Sequence, residues 1–420
     1  MGNAHKRSGS PSRRERAIRP APAAARIPSS SARAILWASN SPTAESGYGQ
    51  QTAQAVRRLK ADGHAVAIAS NYGLEGTTSS WEGMPHLPRG FDLHSNDVTP
   101  AYLQWWAHQN PTLDPLLVTL YDTWIFKGSN WDTAPQVASW VPVDHFPAPP
   151  DVVAWCKRPN VTPIAMSRFG ERMLTDAGVE GVLYVPHAID TQVFRPTESF
   201  DATDGPMTGR EFMGVPNDAF VVGMVSANKG QAPNRKAFPE AFLAFAMFAK
   251  QHPEAVLYCH AEPHGAMGGI DLIALAASCG IGKRQIVFPD PFVWRMGIPA
   301  NVLAAVYTGM DVLLQPSMGE GFGIPLVEAQ ACGTPAIVSD ATAQPELLGD
   351  GWLVDGQPWW DHAQKAWLMA PRIDSIVGAL VKAHERPRGR SQDAIDFAAG
   401  YDADLVFDAY WRPALKALAA

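Results

Sequence analysis

The sequence predicts an α/β protein made of two successive Rossmann-like domains of comparable size. Three observations carry this. From residue 34 onward, short apolar runs alternate with amphipathic stretches, the signature of βα units on a mainly parallel sheet. The series breaks once, at the polar, turn-rich stretch 197–213, and then starts again. The chain has 420 residues, 46% apolar and 18% charged, enough for two or three cores and too apolar for general disorder.

In the first series, 34–39 (AILWAS) reads as a buried strand. Gly47-Tyr48-Gly49 follows as a loop, and Ala53, Val56 and Leu59 share the face of a helix. Further strands are expected at 66–70, 116–120, 141–143, 164–167 and 182–185, whereas 71–115, full of Gly, Pro and Trp without a period, reads as long loops. In the second series, strands are expected at 220–225, 255–260, 286–288, 312–315 and 336–339. Helices are expected at 235–251, 271–279, 300–309 and 324–332. The end, 391–420, reads as one or two helices with Phe407, Tyr410, Trp411 and Leu415 on one apolar face. The resulting division is 1–33, a basic tail; 34–200 and 214–390, the two α/β domains; and 391–420, terminal helices. Two facing domains of this kind leave a ligand crevice at the carboxyl ends of their strands.

Charge is unevenly spread. The net charge is −7, but 1–33 holds eight basic residues against Glu15 alone, leaving 26 basic and 40 acidic residues in the remainder. A body so acidic is a poor general binder of nucleic acid or anionic membrane, so nucleic acid is a partner only through the tail. The tail is expected to be disordered, with three readings open: a transit peptide, a nucleic-acid-binding arm, or a solvated extension from an early start codon. No uninterrupted apolar run reaches membrane-spanning length. Four dispersed cysteines, with no Cys-x-x-Cys pair, argue against a disulfide framework or zinc ribbon and fit a reducing, cytoplasmic setting.

Chemistry concentrates in 311–355. There an apolar strand ends at Pro316, a loop carries Glu320-Gly321-Phe322-Gly323, and a helix opens at Ile324-Pro325, where a proline costs no hydrogen bond. Glu320 in the loop and Glu328 one turn into the helix can face the same crevice. The glycines let a ligand approach backbone N–H groups at a helix start. A carboxylate accepting two vicinal hydroxyls suits a sugar or ribose.

The run Pro316-Ser317, Glu320-Gly321-Phe322-Gly323, Glu328, Cys332-Gly333-Thr334-Pro335 and Pro345-Glu346 resembles the signature of glycosyltransferase family 4, retaining enzymes of the GT-B fold. The resemblance implies a donor domain at 214–390 and an acceptor-side domain at 34–200, with the terminal helices crossing back onto the latter. It further implies a nucleotide-diphosphate sugar as co-substrate, a hydroxyl acceptor of unspecified kind, no metal and no other cofactor. Glu320 would contact donor-sugar hydroxyls and Glu328 the ribose, with Gly321, Phe322 and Gly323 offering backbone groups. Lys236, in Arg235-Lys236, matches the basic residue that clamps the diphosphate. The family's earlier arginine has no counterpart, Asn228 being the nearest occupant with Lys229 beside it. Gly47 and Gly49 take the place of the glycine-rich loop. As a dinucleotide fingerprint that segment is weak, since Thr52 stands where a third glycine belongs. His145, in Asp144-His145, matches the first-domain histidine near the reacting carbon, whereas 185–196 around His187 reads as structural.

Asp402-Ala403-Asp404 has the form of a metal-binding Asp-x-Asp but sits in a helical stretch, so no metal role is assigned to it. Seven of the fourteen tryptophans fall between Trp81 and Trp155, where packing explains them better than sugar stacking. The implied function is transfer of a sugar to a hydroxyl acceptor, with anomeric configuration retained. The alternatives are a silent nucleotide-sugar binder, for want of the arginine, and a transferase acting on modified nucleic acid.

Overall fold

The computed structural model describes residues 32–419. Those residues form two main parallel sheets. The first contains β1 (Arg33–Asn40), β2 (Ala65–Tyr72), β3 (Ser79–Trp81), β4 (Met84–Leu87), β5 (Asp114–Leu120), β6 (Val137–Val141), β7 (Val161–Ala165) and β8 (Leu183–Tyr184). Their order is β3-β4-β2-β1-β5-β6-β7-β8, and the β3–β4 pair alone is antiparallel. A hairpin of β9 (Ser199–Ala202) and β10 (Gly205–Thr208) follows.

The second sheet contains β11 (Phe220–Val225), β12 (Ala255–His260), β13 (Ile286–Val287), β14 (Val312–Gln315), β15 (Ala336–Ser339) and β16 (Gly351–Val354), in the order β13-β12-β11-β14-β15-β16. A second hairpin, β17 (Gly356–Asp361) and β18 (Ala366–Pro371), leaves its edge. Both sheets have the doubly wound strand order, and central strands such as β1, β5 and β11 are buried along nearly their whole length, as a sheet covered on both faces requires.

The helices are α1 (Gly47–Ala61), α2 (Thr99–Gln109), α3 (Pro150–Cys156), α4 (Arg168–Asp176), α5 (Gly209–Met213), α6 (Phe238–Ala249), α7 (Leu272–Cys279), α8 (Pro291–Met296), α9 (Ala300–Gly309), α10 (Ile324–Ala331), α11 (Ile373–Glu385), α12 (Gln392–Ala398), α13 (Ala403–Val406) and α14 (Arg412–Leu418). A single π-type turn, Phe407–Trp411, joins α13 to α14. This terminal run lies on the first sheet. Trp411 packs edge-on against Trp140 at 4.9 Å and tilted against Trp37 at 5.6 Å. Arg412 pairs with Asp62 at 2.9 Å, and Gln136 donates to the Leu418 carbonyl at 2.8 Å.

Several expectations need correction. The basic tail is set one residue too long. Arg33 is buried in β1, and its guanidinium donates to Gln136 at 2.7 Å and to the Leu418 carbonyl at 3.1 Å. Ala32 just precedes the strand, and the remainder of that reading, 1–31, lies outside the described residues. The stretch 71–115 is not loop alone, because it holds β3, β4 and α2; the strands are too short to show a period, and α2 blurs its own by exposing Trp105 beside the buried Trp106. The strand expected at 141–143 lies at β6, since Pro142 has no N–H to continue a ladder. The break at 197–213 is a hairpin and a short helix opened by a Thr208–Glu211 capping box. Arg235 and Lys236 precede α6 instead of opening it. No helix among the described residues is long and apolar enough to cross a membrane.

Candidate active site

Both sheets turn the carboxyl ends of their strands toward one interdomain seam, which the candidate residues line. From the second domain, β14 runs into the loop 316–323 before α10. Gly323 closes that loop at φ 114°, a conformation that favours glycine. A Cβ on Gly321 would stand 2.8 Å from the Pro142 Cβ of the first domain, so this glycine lets the two domains touch. Thr342 Oγ1 accepts from the Glu320 N–H at 2.9 Å and holds the loop from behind.

Glu320 is the centre of an ion network. Lys236 Nζ donates to its Oε1, and Arg235 Nη1 lies 3.2 Å from its Oε2. Arg235 also reaches the Gly319 carbonyl and, at 3.5 Å, Asp144 across the seam. Burial pushes the Glu320 carboxyl up, but Lys236 and Arg235 outweigh it and hold the group at about 2. Asp144 is held at about 2 in the same way, with Arg235 and His145 overcoming burial. Behind Arg235, Asp122 is raised to about 6, by burial first and then by repulsion from Asp144.

His145 sits at the seam between two carboxylates. Its Nδ1 faces Asp144 Oδ1 at 2.6 Å and its Nε2 faces Asp361 Oδ2 at 3.2 Å. Burial lowers its pKa, and the two carboxylates more than reverse that, so the imidazolium is favoured. Asp361 arrives from the second domain at the end of β17. The hairpin is tied down by a reciprocal backbone pair, Phe146 N–H to Trp367 O at 3.0 Å and Trp367 N–H to Phe146 O at 2.9 Å. Glu346, of Pro345-Glu346, also crosses the seam: its carboxylate accepts from the N–H groups of Arg168 and Phe169 at 2.7 and 2.9 Å, at the start of α4.

Glu328 has a different setting. It is buried on α10 and accepts the Tyr307 hydroxyl of α9 at 2.9 Å. With no cation beside it, burial raises it to about 7, against a small opposing pull from that hydroxyl.

Thus Lys236, Glu320, Gly321 and His145 converge, and Glu328 lies one helical turn behind them. The Phe322 ring turns away into the seam's core, edge-on to His187 at 5.2 Å and to Tyr401 at 5.7 Å. Gly47-Tyr48-Gly49 is not a free loop but the first turn of α1. Ser46 caps it by accepting from the Gly49 N–H at 3.1 Å, and Gly47 abuts Ile324 of the second domain.

Asn228 is a correction. Its Nδ2 donates to the Glu262 and Ile270 carbonyls at 2.9 and 2.7 Å, and its Oδ1 accepts from the Ile270 N–H at 3.1 Å. The amide is spent on holding the loop 262–270, so it is no substitute for a phosphate-binding cation. A second cation does stand nearby: Arg235, beside Lys236, also pairs with Glu320. Asp361 and Asp122 join this network without a signal in the sequence, whereas adjacency to Lys236 is the available signal for Arg235. Asp402 accepts from the N–H groups of Asp404 and Leu405 as a helix cap, and Asp404 pairs with Arg58 at 2.8 Å, so the Asp-x-Asp form serves the fold.

Comparison with known proteins matches residues 224–366 to the family model of the glycosyl transferases group 1. Relatives include the D-inositol 3-phosphate glycosyltransferase of Xylanimonas cellulosilytica, 30% identical over 218 residues, covering 50% of this chain and 45% of that protein. The protein of the same name from Stackebrandtia nassauensis is 28% identical over 243 residues, covering 56% and 49%. The matches span less than half the length of these curated relatives. Among solved structures, sucrose-phosphate synthase from Thermosynechococcus elongatus superposes with a TM-score of 0.69 at 16% identity, covering 92% of this chain and all of that one. HepE of Anabaena, solved with UDP-glucose, gives 0.63 at 13% identity, covering 91% and 99%. The chain therefore has the GT-B fold, and its second domain carries the sequence pattern of the group 1 glycosyl transferases that the 311–355 motif resembles.

Proposed function

We propose that this chain is a retaining glycosyltransferase, moving a hexose-like unit from a nucleotide-diphosphate sugar to a hydroxyl acceptor. The observation that carries the reading is the convergence of Arg235 and Lys236 on Glu320, opposite His145, where the two sheets meet.

Each group then has a task. The donor diphosphate competes with Glu320 for the two cations, which offset the charge of the leaving group. Glu320, released from Lys236, accepts hydroxyls of the donor sugar, while Glu328 accepts the ribose hydroxyls. His145, charged between its two carboxylates, faces the sugar from the first domain. The bond from the anomeric carbon to the diphosphate oxygen breaks, and the acceptor oxygen bonds to that carbon on the same face. The acceptor's proton passes to the departing diphosphate, so no second carboxylate is required, unlike in a glycosidase. The ties through Glu346 and the Phe146–Trp367 pair keep the seam shut and limit loss of the donor to water.

Arg235 supports turnover over a silent nucleotide-sugar binder, since it supplies a second cation beside Lys236. With these cations on the diphosphate, no metal is called for, and free cysteines suit a reducing cytoplasm. UDP-glucose leads the donor panel because HepE was solved with it, and inositol 3-phosphate leads the acceptors because the relatives are D-inositol 3-phosphate glycosyltransferases.

The test is release of nucleoside diphosphate from such pairs, with and without EDTA, and NMR of the product linkage. Acceptor-dependent release with the donor's anomeric configuration kept, and no effect of EDTA, is expected. Donor binding without release by any acceptor would establish the silent binder, and an inverted product would overturn retention.

A further inference from the structure

On the face opposite the seam, at the amino ends of β11 and β12, three side chains converge that play no part in the proposed reaction. Glu254 lies just before β12, His252 just after α6, and His384 in the last turn of α11. Glu254 Oε1 is 2.8 Å from His384 Nε2 and 3.8 Å from His252 Nδ1, and the three ligand atoms all lie within 4.8 Å of one another. Three ligands placed tetrahedrally at zinc distances would stand about 3.3 Å apart, so adjustments of an ångström or so in side-chain position complete the set.

Two further features suit a cation. The helices α6 and α11 both end here, and the negative ends of their dipoles face the cluster. The rings also rest on a firm apolar base: His252 stacks on Phe248 at 4.4 Å, and His384 stands edge-on to Phe220 at 4.9 Å. Both phenylalanines are buried, which fixes the ring planes.

We propose that His252, Glu254 and His384 form a divalent-metal site suited to Zn2+, with water completing the coordination. Two imidazoles and a carboxylate are a borderline N2O donor set that favours zinc-like ions over Mg2+ or Ca2+. The bound ion would clamp the ends of α6 and α11 together beneath the second sheet, remote from the seam, and so would act on stability and not on transfer.

The test uses tag-free full-length protein, stripped with EDTA, dialysed into metal-free buffer and titrated with ZnCl2 by calorimetry. Glu254→Gln, His384→Gln and the double variant His252→Gln/His384→Gln are compared, with melting curves of the metal-free proteins as the control for folding. The three side chains are 22%, 42% and 27% exposed, in chain order, so the substitutions leave the core untouched. A single equivalent of Zn2+ should bind the wild type and raise its melting temperature. Binding should weaken by at least about a hundredfold in the double variant, since even outer partners of a metal ligand cost tenfold or more. Equal uptake by wild type and variants, or no uptake by wild type below about 1 mM, would overturn the proposal.

Discussion

Glu320 and Glu328 belong to one loop–helix unit and are both buried, yet their surroundings push the two carboxyls in opposite directions. Glu320 is held at about 2 by Lys236 and Arg235, whereas Glu328, with only a hydroxyl for company, rises to about 7. The same residue type in the same motif is thus tuned in opposite directions by what the rest of the fold brings beside it. Burial alone raises a carboxyl, and adjacent cations reverse the sign. Lys236 and Arg235 favour the charged form of Glu320, whereas burial favours the neutral form of Glu328.

The largest way to break this contrast is Lys236→Met. It leaves the buried Glu320 with Arg235 alone and should destabilise the protein by about 3 kcal/mol, read from the denaturant midpoint. The sign with pH is fixed. A carboxyl whose folded pKa lies below its ordinary 4.5 lends stability above that pH and loses it as pH falls toward about 2. In the variant, acid unfolding should therefore begin at higher pH. An unchanged midpoint and acid limb would mean that the ion pair contributes nothing.

Next comes Tyr307→Phe, which deletes the hydroxyl donated to Glu328. The expected cost is about 1.5 kcal/mol, and the Glu328 pKa should move further up from about 7, measurable by carboxyl 13C NMR. A fall in that pKa would contradict the assignment.

Glu328 also sets an opposite pH slope. Its folded pKa is raised, so its share of stability is present below 4.5 and is lost as pH climbs through about 7. On the proposed function donor affinity runs the other way, because the ionised form would accept the ribose hydroxyls. Calorimetric affinity should fall about tenfold for each pH unit below 7, and Glu328→Gln should flatten the slope.

The motif at 311–355 was legible because its chemistry is local: proline, glycines and two carboxylates within a few residues decide loop, helix start and direction of approach. Most strands and helices of the second domain were legible for a similar reason, each showing its own period. What could not be read depends on partners far along the chain. Asp361 meets His145 from 216 positions away, through a hairpin whose tryptophans gave no sign of where it would dock. Asn228 looked like a replaced cation because it occupies the right place in order, but its amide proved to be committed to the loop 262–270. The stretch 71–115 misled because β3 and β4 have three and four residues, too few to show alternation.

The smallest expected effect tests that distant partner. Asp361→Asn leaves His145 with Asp144 alone and should cost roughly 1 kcal/mol of stability. The His145 pKa should drop, shifting the alkaline limb of the rate profile to lower pH. A lower rate with an unshifted limb would reduce Asp361 to a structural tie.

The most direct measurement is thermal denaturation against UDP-, GDP-, ADP- and TDP-sugars at saturating concentration, on wild type, Glu328→Gln and Lys236→Met. A ligand that binds only the folded chain must raise its melting temperature. The expected result is a rise with donors of one base in the wild type that is lost in both variants. No rise with any donor, or a rise of equal size in all three proteins, would contradict a nucleotide-sugar site built on Lys236, Glu320 and Glu328.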